Sequence, residues 1–150
     1  MGRLERDAAF FAKFRYLSLG HGLMSKKLTL VFILSFVLNL VWEFLSSALY
    51  SNHQGGKITS LILFEATATD AGMILMLVFI APVFKFNKSL FVVLGGLVLS
   101  IIIEIWALRT GSWAYNSLMP IVPIINIGLA PAVQLSVTGY IAKRMVFGNG

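Results

Sequence analysis

The sequence predicts an all-α polytopic membrane protein in which four transmembrane helices form an up-down bundle, with residues 1–150 as a single membrane domain. The chain is 58% hydrophobic and only 12% charged, and its mean hydropathy is +0.87. A soluble domain is less apolar and about 25% charged. Four apolar runs approach the roughly 20 residues that a helix needs to cross a bilayer. The connections between these runs are short, so consecutive helices are expected to be antiparallel neighbours.

The four predicted spans are separated by brief polar or turn-forming segments. The first span begins too late and is too long for a cleavable signal peptide, so we expect it to remain in the protein. Gly111, Pro120 and Pro123 mark an ordered re-entry into the fourth span. Pro131 is expected to kink that span. The spans are placed at residues 28–50, 60–84, 90–108 and 121–141.

Residues 1–27 are predicted to form a cytoplasmic tail with a short amphipathic segment. Phe10, Phe14 and Leu17 recur at helical spacing among basic residues, a pattern typical of a helix that lies on a membrane surface. A basic tail that only sets the topology accounts for the same residues equally well.

The distribution of basic residues predicts the orientation of the protein. Of the twelve Lys and Arg residues, only Lys57 and Arg109 lie in the first and third loops, and the other ten lie in the tail, the second loop or the C-terminus. Because cytoplasmic loops carry the excess of Lys and Arg, both termini are predicted to be cytoplasmic. This topology also accounts for the net charge of +6, so no nucleic-acid partner is expected.

Four acids inside the apolar runs carry the strongest functional signal. Glu43, Glu65, Asp70 and Glu104 lie within predicted spans, and the other two of the six acids lie in the tail. A charge in the hydrocarbon interior is costly, so each of these acids is a functional-site hypothesis. Glu65 and Asp70 are five residues apart and diverge by roughly 140° around a helix. Asp70 lies deeper and is favoured to face the centre, while the facing of Glu65 stays open.

Polar or small side chains recur every four residues in three of the spans, which keeps them on one face of each helix. We expect these faces to point towards the interior of the bundle. For the serines and Thr138, ordinary hydrogen bonds between helices explain the pattern. The repeats are Ser35, Asn39, Glu43 and Ser47; Gly96, Ser100 and Glu104; and Asn126, Ala130, Gln134 and Thr138.

The acids and the third loop are expected to converge on one cavity in the outer half of the bundle. Buried carboxyl groups can act there as proton donors, as acid-initiated chemistry requires, and the predicted catalytic residues are Glu43, Glu104 and Asp70. An interfacial aromatic belt explains Trp113 and Tyr115 equally well. The residues predicted to bind a substrate are Asn39, Trp42, Arg109, Trp113, Tyr115, Asn126 and Gln134.

Two motifs resemble segments of known membrane enzymes. Asn39-x-x-Trp42-Glu43 resembles the acid motif of the integral-membrane terpene cyclases of meroterpenoid pathways. The run from Glu104 through Gly111-x-Trp113-x-Tyr115 to Pro120 is similar to segments of membrane-bound lycopene cyclases and carotenoid hydratases. In those families carboxyl groups protonate an alkene or an epoxide, and aromatic rings shelter the carbocation. The resemblance implies that Glu43 is the proton donor, with Asp70 or Glu104 as its partner.

The sequence predicts neither a metal site nor a cofactor. The chain has no cysteine, which excludes disulfides, thiolate catalysis and thiolate metal sites. It has no Asp-rich diphosphate motif, so a magnesium-dependent prenyltransferase is not expected. His21 and His53 have no paired ligand at metal-site spacing.

Three classes of function fit these observations. The first is an intramembrane acid–base enzyme, such as a cyclase, isomerase or hydratase, that acts on an isoprenoid or another lipid. The second is a small proton-coupled transporter, and the third is an accessory subunit whose polar core only fixes helix packing. A pocket that is closed to the cytoplasm and open to lipid favours the enzyme. The sequence does not identify the substrate, and it leaves open whether the protein is a monomer or a homodimer.

Overall fold

In the computed structural model, which describes the backbone of residues 3–84 and 86–148 and their side chains from residue 22 onward, the chain forms four α-helices. The first helix runs without a break through the predicted tail. The side chains of Phe10, Phe14 and Leu17 lie outside the described part, so their amphipathic face stays a prediction. The helices are α1 (Arg3–Ser46), α2 (Ser60–Ile80), α3 (Lys88–Thr110) and α4 (Leu129–Phe147).

Local capping interactions explain where α2 and α3 begin and end. The Thr59 hydroxyl accepts a hydrogen bond from the Ile62 N–H at 3.4 Å, and the Asn87 side chain accepts one from the Ser89 N–H at 2.9 Å. Both bonds satisfy backbone donors that lack a partner in the first turn of a helix. Gly111 ends α3 with φ +70°, in the left-handed region that glycine adopts without a steric penalty.

Three helices among the described residues are long and apolar enough to cross a membrane. They cover Gly22–Leu49, Ser60–Val83 and Lys88–Thr110. They correspond to the first three predicted spans and extend them by a few residues at some ends. The prediction of a mostly helical chain with helices long and apolar enough to span a membrane is therefore confirmed for this part of the protein.

In the described part of the chain, four short strands, which the sequence analysis did not predict, form two small antiparallel sheets. Strand β1 (Tyr50–His53) follows α1 and pairs with β2 (Trp113–Tyr115), which follows α3. Strands β3 (Ile121–Val122) and β4 (Ile127–Gly128) pair with each other just before α4. The β1–β2 sheet joins the first and third loops at one end of the helices, called the outer end below. The opposite end, with the α2–α3 connection, is the inner end.

The predicted fourth span is wrong at its start, because α4 begins at Leu129 and not at Ile121. The preceding residues form the β3–β4 hairpin, in which Asn126 has a left-handed φ of +52° and Pro123 cannot donate a backbone hydrogen bond. Pro131 is the third residue of α4. In the first turn its missing N–H costs nothing, so the predicted kink in the middle of a span does not arise.

Close packing between α3 and α4 depends on Gly96. A Cβ atom added there would lie 2.8 Å from the Leu135 carbonyl carbon and 2.8 Å from the Ser136 nitrogen, both backbone atoms of α4. The Ser136 hydroxyl donates to the Val93 carbonyl at 2.7 Å across the same interface. Helix α1 packs against α2 and α4, whereas α2 and α3 contact each other much less.

The apolar core lies towards the inner end of the helices. Val31, Ile74 and Val92, from α1, α2 and α3, are completely buried there. Polar residues of the same helices lie beyond this core, nearer the outer end. The core cluster consists of Val31, Ile74, Leu77, Val78, Ala81, Val92 and Leu135.

Candidate functional site

A cavity of about 490 Å³ lies between the core cluster and the β1–β2 sheet. All four helices contribute to its wall, together with β1 and β2. Its lining includes each of the four acids of the apolar runs, Glu43, Glu65, Asp70 and Glu104, and also Gln134. The structure thus brings acids that are distant in the sequence to one cavity near the outer end.

Gln134 on α4 is the centre of a hydrogen-bond network between three helices. Its side-chain nitrogen lies 2.6 Å from Glu43 Oε1 on α1 and 2.6 Å from Asp70 Oδ2 on α2. The same nitrogen lies 3.2 Å from Asn39 Oδ1, which also accepts from the Thr138 hydroxyl at 3.2 Å. An amide nitrogen has two N–H groups, so the two close carboxyl oxygens match its donors.

Glu43 and Asp70 meet at the same side chain, because the Gln134 nitrogen lies 2.6 Å from a carboxyl oxygen of each. A hydrogen bond between two carboxyl groups requires a proton on one of them, because an ionised carboxylate only accepts. Two neighbouring carboxyl groups repel each other when both are ionised, so the pair suits one shared proton. A proton held between two carboxyl groups beside a cavity is available to a molecule that enters it.

Glu104 on α3 is buried and is held by two aromatic donors from β2. Its Oε2 atom accepts from the Trp113 ring nitrogen at 3.3 Å and from the Tyr115 hydroxyl. The Tyr115 oxygen in turn accepts from the Gly128 N–H at 2.9 Å. Burial, and then the hydrogen bond to Glu104, raise the pKa of Tyr115 above its ordinary value. Tyr115 therefore stays protonated at neutral pH and donates to Glu104.

Aromatic rings cover the cavity at its outer end. The Tyr50 ring packs at 6.3 Å edge-on to Trp113 and at 5.5 Å from Tyr115. Tyr50 and Trp113 both line the cavity. Because the faces of aromatic rings attract cations, these three rings suit a site where positive charge develops on a hydrocarbon.

The cavity opens sideways between α2 and α3. Its exposed lining residues are Glu65 and Thr69 on α2 and Trp106 on α3. These two helices contact each other less than α1 contacts α2 or α3 contacts α4. Next to the opening, Leu61 on α2 and Ile102 on α3 are 67% and 57% exposed. Apolar residues therefore flank the opening, as expected for a route from the lipid phase.

Among the described residues, three predicted substrate-binding residues neither line the cavity nor form a side-chain hydrogen bond to a residue that does. Arg109 and Asn126 are exposed, at the end of α3 and in the β3–β4 turn. Arg109 follows Glu104 by five residues, which turns it by roughly 140° around the helix. Trp42 precedes Glu43 directly and points elsewhere; its buried ring nitrogen has no hydrogen-bond partner among the described residues.

The other predicted site residues are at or next to the cavity. Glu43, Asp70, Glu104, Trp113 and Gln134 line it. Asn39 and Tyr115 contact lining residues through the hydrogen bonds described above. Glu65, whose facing the sequence left open, lies at the opening.

The lining residues that were not predicted as site residues include Tyr50 and Ser100. Tyr50 lies at the end of the first apolar run, where an ordinary interfacial aromatic would give the same sequence signal. Ser100 was interpreted as part of an ordinary interhelical contact, but its buried hydroxyl has no hydrogen-bond partner among the described residues. Only its position one turn before Glu104 in a polar repeat could have indicated a site role.

Among the described residues, no three His, Asp or Glu side chains are grouped closely enough to hold a metal ion. The polar and aromatic groups of the site are therefore its carboxyl groups, its amides and its aromatic rings. The chain matches no protein-family model, no curated protein and no solved structure.

Proposed function

We propose that this protein is an intramembrane acid–base enzyme that cyclises, isomerises or hydrates an isoprenoid or another lipid. The observation that carries the proposal is a cavity that is lined by carboxyl groups and open sideways between two apolar helices. A soluble substrate would need a route from water, whereas this opening faces the region that lipid tails occupy.

The Glu43–Asp70 pair is the proposed proton donor. In the first step, its shared proton moves to an alkene carbon or an epoxide oxygen of the substrate. The alkene π electrons form the new C–H bond, or the epoxide C–O bond breaks, and a carbocation remains. The cation then loses a proton to a carboxylate, which gives an isomerised alkene. In a cyclisation, the π electrons of a second alkene of the same chain first form a C–C bond to the cation, and the new cation loses the proton. In a hydration, water adds to the cation and then gives one proton to a carboxylate, which leaves an alcohol.

Glu104 and the rings of Tyr50 and Trp113 are the proposed stabilisers of the cation. Glu104 accepts from Trp113 and Tyr115, and these two hydrogen bonds orient its carboxyl group. Fixed negative charge next to a developing positive charge lowers the barrier most when it is preorganised in a water-poor site. The resemblance to membrane-bound terpene and lycopene cyclases implies that aromatic rings shelter the cation and that Glu43 is the proton donor, with Asp70 or Glu104 as its partner.

The proposal includes a four-span topology with both termini in the cytoplasm. Helix α4 has 19 residues and packs closely along α3, so it is the proposed fourth span. The cavity would then lie in the outer half of the membrane. The core cluster separates it from the inner end, which supports an enzyme over a transporter that needs access from both sides.

Conversion of reactive isoprenoids by the protein in lipid nanodiscs tests the proposal. The panel contains 10,11-epoxyfarnesol, geranylgeraniol and lycopene, incubated in D₂O so that protonation of an alkene leaves a deuterium on carbon. We expect at least one product by mass spectrometry. Glu43→Gln should lower its rate by roughly 10²–10⁴-fold, because an amide keeps the size of the side chain but is not an acid.

Glu5→Gln, which removes an acid of the N-terminal segment, is the matched control and should convert at the wild-type rate. Full activity of Glu43→Gln would contradict the proposal. So would the absence of any product together with a raised melting temperature of Glu43→Gln. The latter result is expected of an accessory subunit, in which removal of a buried ionisable group is neutral or stabilising.

A further inference from the structure

The charges around the cavity restrict the kind of molecule that it accepts. Acids line it on three helices, but none of the described lysines and arginines does, and His53 is the one basic side chain of the described lining. Proteins bind phosphate groups with Arg, Lys or clustered backbone N–H groups. A phosphate-bearing lipid would therefore meet carboxyl groups without the cations that normally neutralise it.

The cavity wall also contains a hydroxyl group without a partner. Ser100 on α3 is only 4% exposed, lines the cavity, and has no hydrogen-bond partner for its Oγ among the described residues. A buried polar group without a partner is costly. Because a serine hydroxyl rotates about a single torsion and both donates and accepts, a ligand oxygen in the cavity could pair with it.

Ser35 is a matched case elsewhere in the same fold. It is completely buried and its Oγ is equally without a partner among the described residues, but it does not line the cavity. An unpaired serine hydroxyl alone therefore does not indicate a ligand. The difference is that Ser100 lies next to a space large enough for a molecule.

We propose that the cavity selects an uncharged lipid whose polar group is a hydroxyl-type oxygen, that Ser100 pairs with this oxygen, and that the acidic lining rejects phosphate-bearing lipids. This inference rests on the proposed function for the site, and it adds the chemical class of the substrate. The apolar tail of the lipid extends through the opening between α2 and α3, past Thr69 and Trp106. A hydroxyl or epoxide oxygen then lies near Ser100 and the acids.

Equilibrium binding of saturated lipids to the wild-type protein in phosphatidylcholine nanodiscs tests the inference. The probes are phytanol, phytanyl phosphate, phytanylamine and phytane, which compete with tritiated phytanol, and empty nanodiscs correct for partition into the bilayer. The tails contain no alkene or epoxide, so the proposed acid chemistry cannot consume them. We expect phytanol to bind and phytanyl phosphate to bind at least roughly tenfold more weakly, because like charges repel strongly where water is scarce.

Ser100→Ala separates hydrogen bonding from packing. It should weaken phytanol binding by roughly 2- to 10-fold, the range for one neutral hydrogen bond, and leave phytane binding unchanged. Ser35→Ala should change neither. Each of four results would overturn the inference. Three concern the wild-type protein: phytanyl phosphate binds as tightly as phytanol, phytanylamine binds more tightly than phytanol, or no probe binds. The fourth is an equal loss of phytane and phytanol binding in Ser100→Ala.

The two proposals fail in different ways. Phytanol binding that depends on Ser100, without conversion of the reactive panel, would retain this inference and contradict the proposed enzyme. Conversion of a reactive isoprenoid, together with tighter binding of phytanyl phosphate than of phytanol, would retain the enzyme and overturn this inference.

Discussion

The side-chain nitrogen of Gln134 lies 2.6 Å from Oε1 of Glu43, and this contact joins α4 to α1 at the wall of the cavity. The same nitrogen lies 2.6 Å from Asp70 Oδ2 on α2. A single uncharged side chain thus holds two acids from two other helices. Because an amide donates to either ionisation state of a carboxyl group, Gln134 can keep both acids in place before and after a proton leaves them.

We expect Gln134 and Glu43 to be energetically coupled. In a double-mutant cycle, Gln134→Ala and Glu43→Ala should show a coupling of about 0.5–3 kcal/mol, as residues in one hydrogen-bond network do. The measurement is the free energy of unfolding in mixed micelles. Ser89→Ala, at the inner end of α3, combined with Glu43→Ala is the control and should be additive within about 0.5 kcal/mol. Additivity of the first pair would contradict the network.

Tyr115→Phe should destabilise the protein by about 1–3 kcal/mol, because it removes both the donor to Glu104 and the acceptor for the Gly128 N–H. Tyr140→Phe is the matched control. Its hydroxyl accepts from the Arg144 side chain in an exposed pair, where a loss is usually within about 0.5 kcal/mol. Equal melting temperatures of the two variants would show that the Glu104 contacts do not stabilise the fold.

Stability should decline at high pH in a way that depends on Tyr115. Burial and the Glu104 hydrogen bond raise the pKa of Tyr115, so the folded state favours its protonated form. This contribution is fully present below the unfolded pKa of about 10. The contribution is lost as the pH rises through the pKa of Tyr115 in the folded state, because the unfolded chain has already released this proton at a lower pH. Tyr115→Phe should flatten the decline in chemical unfolding measured from pH 8 upward, and an unchanged slope would contradict this assignment.

Gly96→Ala should destabilise the contact between α3 and α4 by about 1–3 kcal/mol, because the added methyl group meets the α4 backbone at 2.8 Å and a backbone cannot move aside as a flexible side chain does. Gly72→Ala on α2 is the control, since nothing lies within 4 Å of its added Cβ. It should stabilise the helix by up to about 1 kcal/mol. Unfolding free energies that change in the same direction for both variants would contradict the close approach.

Cysteine labelling tests the proposed topology without background, because the protein contains no cysteine. Ser117→Cys and Lys57→Cys, both at exposed loop positions, should react with a membrane-impermeant maleimide added outside intact cells. Lys88→Cys at the inner end should react only after the membrane is permeabilised. The reverse pattern would show that the termini lie on the outer side.

The pattern along the sequence was informative wherever the determining property is local. Hydropathy defined α2 and α3 with ends close to those observed, whereas α1 begins at Arg3, well before the first apolar run. A spacing of four residues correctly predicted that Asn39 and Glu43 share one face of α1 and that Ser100 and Glu104 share one face of α3. The reason is that a helix returns to nearly the same angle every four residues. The same spacing gave a wrong prediction for Asn126, because this residue lies in the β3–β4 turn and not in the helix that the apolar run predicted.

By itself, the sequence determined that this is a helical, membrane-compatible protein with acids on the inward faces of its helices. Only the tertiary structure decided that Gln134 meets both Glu43 and Asp70, that Arg109 turns away from them, and that the cavity opens between α2 and α3. The physical reason is that these features depend on how each helix is rotated and how closely it packs against the others. Those rotations follow from contacts such as Gly96 against the backbone of α4, which bring together residues that are far apart in the sequence.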